Sequence, residues 1–270
     1  MKGSLNLFPK LIDFNYLTIH TYGFLLALGF LVGLIAAARA ASRENIDKAI
    51  IYDLGVYITI AALVGAKLLF FITDLKYYID HPAELFSLTT LRSGGVYYGG
   101  FVLAALIGIW ITWKKNLPVW KVTDVCAPGI ALGQSIGRLG CFAAGCCYGY
   151  PTSQPWGVIF QNKYSQEFIG VPLGISIHPT QLYQAAANFL IFGILWIALK
   201  KKCFDGQIFL FYLFFYAVAR FLIEFLRGDA VRGFVFDEIL STSQLISVLL
   251  LPIVVILYLK LRQNNRVKSA

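Results

Sequence analysis

Apolar runs of about 20 residues recur along the chain and constrain its fold more than any other feature. A helix needs about 20 apolar residues to cross the hydrocarbon core of a bilayer. The composition agrees, because 58% of the 270 residues are hydrophobic and 14% are charged, whereas soluble domains carry about 25% charged residues. The sequence therefore predicts an all-α, polytopic membrane protein with about seven transmembrane helices. The predicted spans are Tyr16–Ala38, Ala49–Thr73, Val96–Trp113, Thr123–Ala143, Thr180–Leu199, Gln207–Leu226 and Thr242–Leu261.

The connections between these runs leave no room for a large soluble module. Residues 1–270 are therefore predicted to form a single integral membrane domain. Two longer connections, 74–95 and 145–179, contain scattered glycine, proline and polar residues. We expect them to form a small extracytoplasmic head.

Basic residues concentrate in alternate loops. The positive-inside rule places such loops in the cytoplasm, so the N-terminus is predicted outside and the C-terminus in the cytoplasm. The same loops account for the net charge of +9, which favours membrane lipid over nucleic acid as the partner. The basic residues are Arg39, Arg43 and Lys48 after the first span, Lys114, Lys115 and Lys121 after the third, Lys200, Lys201 and Lys202 after the fifth, and Lys260, Arg262, Arg266 and Lys268 after the seventh.

Three cations lie at least five residues inside the ends of predicted spans, where charged side chains are costly and usually paired or functional. Lys67 lies about 9 Å from the outer end of its span, and Arg220 lies about 10 Å below Arg227. Arg138 lies about one turn below Cys141. Snorkelling to the interface explains any one of them. Three at similar depth, accompanied by an acid, favour an anion site in the outer half of the membrane.

The sixth span carries a polar stripe. Tyr216, Arg220, Glu224 and Arg227 fall at i, i+4, i+8 and i+11, which is within about 80° of helical arc. Glu224 is one turn above Arg220 and is predicted to pair with it. The simpler alternative is an ion pair that only fixes helix packing. The functional one is phosphate recognition by the planar arginine fork, and a phosphate at this depth is a phospholipid headgroup.

Two further segments carry candidate residues. Gly94, Gly95 and Gly99 flank Tyr98 near the start of the third span, and such glycines let a ligand or another helix approach closely. For the glycines alone, helix packing is the favoured interpretation. His178 opens the fifth span, where a histidine more often has a structural than a catalytic role.

Taken together, these motifs resemble the bacterial prolipoprotein diacylglyceryl transferase family over nearly the whole chain. The matching motifs are Tyr22-Gly23, Gly65-Ala66-Lys67, Ser93-Gly94-Gly95 with Gly99-Gly100, Gly137-Arg138-Leu139-Gly140, His178-Pro179-Thr180-Gln181-Leu182-Tyr183 and Tyr216-x3-Arg220-x3-Glu224-x2-Arg227-x-Asp229.

The resemblance implies a transferase of the bacterial cytoplasmic membrane whose active site faces the outer leaflet. It would transfer the diacylglyceryl group of phosphatidylglycerol to the lipobox cysteine of preprolipoprotein signal peptides, forming a thioether and releasing glycerol phosphate. No cofactor and no metal are expected. Arg138 and Arg220 would grip the phosphate, with Glu224 orienting Arg220. The other residues that the resemblance assigns to the site are Tyr98 as catalytic, and Tyr22, Lys67, Gly94, Gly95, Gly99, Gly137, Gly140, His178, Tyr216 and Arg227 as substrate-binding.

The chain departs from the family pattern at two places. Tyr98 stands where many members have a histidine proposed as the thiol-activating base, and tyrosine, with a pKa near 10, is a poor base. The acceptor thiol could instead be activated by a positive field around it or by His178. Cys141 and Cys146 replace an asparagine and a glutamate. For Cys141, Cys146 and Cys147, packing in a turn, with or without a disulfide, is favoured over redox or metal chemistry.

Three other functions stay open at this point. A paralogue would use the same phospholipid site with a different acceptor. A non-enzymatic transporter would bind an anion or lipid in transit at the arginines. A thiol redox carrier would depend on the five cysteines.

Overall fold

The computed structural model describes residues 4–5, 8–14, 17–87, 90, 94–229, 233–235 and 239–269. Its contacts divide the chain into two compact units, Met1–Glu44 with Thr123–Ala270, and Asn45–Val122. Helices predominate. In the described residues they are α1 (Thr21–Arg43), α2 (Lys48–Thr73), α3 (Leu75–Asp80), α4 (Tyr97–Lys114), α5 (Val119–Ala144), α6 (Lys163–Ile169), α7 (Thr180–Ala198), α8 (Gln207–Glu224) and α9 (Thr242–Ser269), with 3-10 turns at Pro82–Phe86 and Leu199–Lys201. The strands are β1 (Ser4–Leu5), β2 (Lys10–Phe14), β3 (Leu17–His20), β4 (Val158–Phe160), β5 (Ser176–Ile177), β6 (Phe234–Val235) and β7 (Leu240–Ser241).

Each of the seven predicted spans is a long helix in the structure. Within the described residues, five helices are long and apolar enough to cross a membrane: α1, α2, α7 extended to Lys201, α8, and α9 as far as Asn265. The other two predicted spans form α4 and α5. The prediction of a mostly helical, multi-pass membrane protein is therefore confirmed.

The first predicted span begins too early. Tyr16 lies outside the described residues, and Leu17–His20 forms β3, which pairs antiparallel with β2. The β-branched Thr18 and Ile19 suit a strand, and the Thr18 hydroxyl donates to Asp13 at 2.7 Å. The helix begins only at Thr21, whose backbone N–H donates to the Pro9 carbonyl at 3.0 Å.

The unit Asn45–Val122 is built on close packing of α2 against α4. The backbones meet at Gly65 and Gly99, where a Cβ on either glycine would collide with the carbonyl of the other. A Cβ on Gly95 would lie 2.7 Å from the Ala66 carbonyl carbon. The N–H of Val96 donates to the Ala66 carbonyl at 3.0 Å. For Gly95 and Gly99, helix packing is thus sufficient to explain the glycine.

In the other unit, α1 packs just as closely against α5. A Cβ on Gly29 would lie 2.6 Å from the Gly133 carbonyl oxygen, and one on Gly140 would lie 3.2 Å from the Tyr22 carbonyl oxygen. Small residues at these positions allow the two backbones to approach. As a result, the end of α5 that carries Arg138 lies beside the first turn of α1.

The segment 145–179, predicted as part of the head, has a small apolar core of its own. β4 pairs in parallel with β1 and antiparallel with β5. Val158, Phe160, Val171 and Ile177 are buried there, with Phe142, Tyr148 and Leu173 packed around them. The other predicted head segment, 74–95, contains α3 and a 3-10 turn in its described part.

A buried ionic network holds the opposite end of α5. Asp124 is fully buried, accepts the N–H of Gly206 at 2.8 Å and pairs with Lys202 at 3.4 Å. Lys202 also pairs with Glu44 at 2.8 Å. This network fixes the ends of α1, α5 and α8 about 21 Å along the α5 axis from Arg138. Sequence reasoning gave Asp124 no role.

Candidate functional site

A buried carboxylate, Glu224, organises the arginines at the end of α8. It is 1% exposed, and its Oε2 lies 2.6 Å from Nη1 of Arg220 and 3.5 Å from Nη1 of Arg227. The Nη2 of Arg220 donates to the hydroxyl of Ser243, in the first turn of α9, at 2.9 Å. The structure therefore contains the ion pair expected from the i, i+4 spacing, and Ser243 adds a contact that the spacing did not reveal.

Arg227 is held by a second carboxylate. Its Nε donates to Oδ1 of Asp229 at 2.9 Å and its Nη2 to Oδ2 at 2.6 Å, a bidentate pair. Burial lowers the pKa of the Arg227 guanidinium, but the hydrogen bond to Asp229 raises it, and the net pKa lies above the usual arginine value. Arg227 was predicted to bind substrate. In the structure its donors are directed at Asp229 and Glu224, which suits a residue that positions Glu224. Substrate binding by Arg227 stays a prediction.

Arg138 differs from the other two arginines. It is half-buried near the end of α5 and interacts electrostatically with Tyr216, Arg227 and Arg220. Within the described part of the chain, no hydrogen bond or ion pair engages its guanidinium. Its donors are thus open to an anion, next to an Arg220 that is already fixed.

Two tyrosines flank the arginines. Tyr22, in the first turn of α1, is 41% exposed and interacts electrostatically with Arg138. Tyr216 interacts with both Arg138 and Arg220, and its ring lies 5.8 Å from that of Tyr212. Six predicted site residues therefore come together in one unit: Tyr22, Arg138, Tyr216, Arg220, Glu224 and Arg227.

Backbone pairing around Gly149 joins the elements that carry these residues. The N–H of Gly149 donates to the His178 carbonyl at 3.0 Å, and the N–H of Tyr150 donates to the Leu226 carbonyl at 2.9 Å. A Cβ on Gly149 would lie 2.6 Å from the His178 carbonyl and 2.7 Å from that of Leu226. Only glycine fits there, and the pairing ties the loop after α5 to the start of α7 and the end of α8.

The His178 side chain belongs to a hydrogen-bonded chain at the start of α7. Its Nδ1 lies 3.1 Å from the Tyr183 hydroxyl, which accepts the indole N–H of Trp156 at 2.8 Å. These contacts are those of a structural histidine. Its predicted part in substrate binding stays a prediction.

Of the two glycines beside Arg138, only one is required for packing. Gly140 lies against the Tyr22 backbone, whereas a Cβ on Gly137 would meet only Leu26, at 3.8 Å. A side chain at 137 is therefore sterically acceptable in the structure. Substrate contact would be a separate reason for glycine at that position.

The remaining predicted site residues lie in the unit Asn45–Val122. Lys67 donates to the Thr90 carbonyl and lies 5.0 Å from the centre of the Phe70 ring. Tyr98 is 57% exposed, with its ring 5.8 Å from that of Tyr97. The glycines of this group are Gly94, with open space where a Cβ would be, and the packed Gly95 and Gly99.

Three thiols also come together beside Arg138. The Sγ atoms of Cys141, Cys146 and Cys147 all lie within 4.8 Å of one another, and all three cysteines are free. Thiolates are ligands for soft and borderline metals. The sequence revealed the cysteines but not their convergence, which depends on the turn at the end of α5.

Comparison with known proteins gives a consistent result. The profile of the prolipoprotein diacylglyceryl transferase family matches residues 9–260. A phosphatidylglycerol–prolipoprotein diacylglyceryl transferase of Clostridium tetani is 39% identical over 240 residues, covering 88% of this chain and 92% of the relative. One of Finegoldia magna is 36% identical over 245 residues, covering 90% and 91%. The phosphatidylglycerol–prolipoprotein diacylglyceryl transferase 2 of Clostridium perfringens is 32% identical over 243 residues, again covering 90% and 91%.

Proposed function

Because the chain belongs to the prolipoprotein diacylglyceryl transferase family, we propose that it transfers the diacylglyceryl group of phosphatidylglycerol to the lipobox cysteine of preprolipoproteins. The acceptor sulfur attacks the glyceryl carbon that bears the phosphate ester. A thioether forms, the carbon–oxygen bond breaks, and glycerol phosphate leaves with the bonding electrons.

The open guanidinium of Arg138 beside the fixed Arg220 carries the mechanistic part of this proposal. Arg220 and Arg227 pair with two carboxylates, Glu224 and Asp229, and Arg138 adds a third cation beside them. This set has one excess positive charge, which matches the single negative charge of a phosphodiester. The departing phosphate gains a second negative charge, and preorganised arginines stabilise such developing charge well where water is scarce.

Each of these residues then has a distinct role. Arg138 binds the phosphate directly. Glu224 and Ser243 orient Arg220 towards the same group, and Arg227, clamped by Asp229, holds Glu224 in place. Tyr22 and Tyr216 border the headgroup. The other residues proposed for the substrate site are Lys67, Gly94, Gly95, Gly99, Gly137, Gly140 and His178, and Tyr98 is proposed as a catalytic residue.

The proposed setting is the bacterial cytoplasmic membrane, crossed seven times, with the N-terminus outside and the active site towards the outer leaflet. The alternation of basic loops supports this orientation. The agreement between the seven predicted spans and seven long helices in the described residues supports the number of crossings. The acceptor is then a signal peptide that presents its cysteine near the outer surface.

Transfer can be tested with purified protein in detergent, phosphatidylglycerol and a synthetic lipobox peptide. We expect glycerol phosphate release and a peptide whose mass has increased by one diacylglyceryl group. A matched peptide with serine in place of the lipobox cysteine should give neither product. Release without the cysteine peptide would indicate a different acceptor, and lipid movement without any covalent product would indicate a transporter.

A further inference from the structure

The three clustered cysteines have the geometry of a metal site. Cys141 lies in the last turn of α5, and Cys146 and Cys147 lie in the turn that follows. Zinc bound by thiolates at about 2.3 Å in a tetrahedral site places the sulfurs about 3.8 Å apart. The observed separations, all within 4.8 Å, exceed this value by about 1 Å or less. Three sulfurs leave one tetrahedral position open.

Hydrogen bonds from the start of α7 fix the backbone of this turn. The buried Gln181 donates its side-chain N–H to the Cys146 carbonyl at 2.7 Å, and the buried Thr180 donates its hydroxyl to the Cys147 carbonyl at 2.6 Å. Cys147 has a φ of +57°, a left-handed conformation that is costly for a residue other than glycine. Contacts that hold a cysteine in such a conformation are expected where the position of its sulfur matters.

The position of Cys141 places its sulfur near a cation. Arg138 lies three residues before Cys141 on α5, so the two side chains lie on one face of the helix. Sulfur binds metals as the thiolate, and a cationic neighbour suits an anionic set of ligands.

We propose that Cys141, Cys146 and Cys147 bind a divalent cation of the zinc class, and that its open fourth position takes the acceptor thiol. The metal site is argued from the three cysteines alone, whereas the identity of its fourth ligand rests on the proposed function. The proposal departs from the sequence-based expectation that no metal takes part and that these cysteines only pack in a turn.

A metal at this place would supply the activation that transfer requires. Arginine side chains hold their protons near neutral pH, so the arginines of the site are poor bases. A thiol that coordinates a metal releases its proton to solvent. The lone pair of the bound sulfur then forms the sulfur–carbon bond, and the electron pair of the broken carbon–oxygen bond leaves with the phosphate beside Arg138. No atom is oxidised or reduced, and the neutral thioether is a weaker ligand than a thiolate and departs.

Metal content tests the site independently of transfer. Purified, metal-stripped protein is dialysed against Zn²⁺ or Co²⁺ and its metal is measured by mass spectrometry, with the sulfur-to-cobalt absorption recorded for Co²⁺. The wild type is expected to retain about one equivalent in a four-coordinate site. Cys141→Ser and Cys147→Gly should lose it, and Cys203→Ser, which changes an exposed cysteine outside the cluster, should retain it. Because glycine suits the positive φ at 147, Cys147→Gly is expected to unfold no more easily than the wild type, which separates loss of a ligand from loss of the fold.

Addition of the lipobox peptide to the cobalt form tests the fourth position. The peptide with cysteine should change the cobalt spectrum, and its serine counterpart should not. Absence of metal uptake by the wild type, equal uptake by the cysteine variants, or a disulfide within the cluster in active protein would overturn the proposed site. Full transfer by metal-free protein would overturn the inference and leave the proposed function intact. Metal binding without any transfer would overturn the proposed function and leave the metal site intact.

Discussion

Replacing Arg138 with glutamine should slow transfer strongly without destabilising the protein, whereas Arg220→Gln should lower both transfer and stability. The contrast follows from their partners. Arg220 is 9% exposed and pairs with the buried Glu224 at 2.6 Å. Arg138 makes no such pair among the described residues, so its removal leaves no buried carboxylate without its counterion.

The expected losses of stability differ enough between the two variants to be distinguished. Removing one partner of a buried ion pair costs about 3–5 kcal/mol. Arg227, 3.5 Å from the same carboxylate, offsets part of this loss in Arg220→Gln, so we expect a value near 3 kcal/mol. A half-buried arginine without such a partner should change the free energy of unfolding by about 1 kcal/mol or less. Loss of a donor that stabilises the departing phosphate should lower kcat by about 10²–10³-fold.

Thermal unfolding in detergent and glycerol phosphate release at saturating phosphatidylglycerol measure the two effects on the same preparations. Arg138→Lys is a useful control, because it keeps the charge but removes the planar fork and should recover only part of the rate. Full transfer by Arg138→Gln, or a loss of stability equal to that of Arg220→Gln, would refute the reasoning.

Three further substitutions, the first with Gly193→Ala as its matched control, test the framework around the site by thermal unfolding. Gly149→Ala is expected to lower stability markedly because its Cβ would meet backbone atoms at 2.6–2.7 Å, whereas Gly193→Ala, with nothing within 4 Å, should be neutral or stabilising. Asp229→Asn should cost about 1.5–3 kcal/mol, since it weakens a charged bidentate pair with Arg227, and unchanged stability would show that the clamp is dispensable. Asp124→Asn should destabilise by about 1–3 kcal/mol with normal transfer by the folded fraction, and a selective loss of transfer would contradict the separation of its network from the site.

The helices were predictable because apolar length is a strong and local signal. The sequence predicted membrane spans over Thr180–Leu199 and Gln207–Leu226, and the corresponding helices end at Ala198 and Glu224. The first span was the exception, because residues 17–20 are apolar enough to extend the run but β-branched enough to pair as a strand.

The arginine site was predictable only as far as helical periodicity reaches. The spacing of Arg220 and Glu224 revealed their pair within one helix. The ion pair between Arg227 and Asp229 forms after the helix has ended, where helical periodicity does not predict which side chains meet. The bond from Arg220 to Ser243 joins two helices, and the meeting of Cys141 with Cys147 depends on a left-handed residue in a turn. Such contacts depend on tertiary geometry that a single sequence does not display.

The pairing of Gly149 also has a consequence for the order in which the protein is made. The loop that carries Cys146 and Cys147 precedes both of the segments that hold it, one at His178 and the other at Leu226. During synthesis, Arg138 and these cysteines therefore emerge well before their supports exist. The site can be completed only after α8 has emerged, so a chain truncated before that helix should insert most of its apolar segments and still lack an assembled site. Catalytic competence is in this sense the last property that the growing chain acquires.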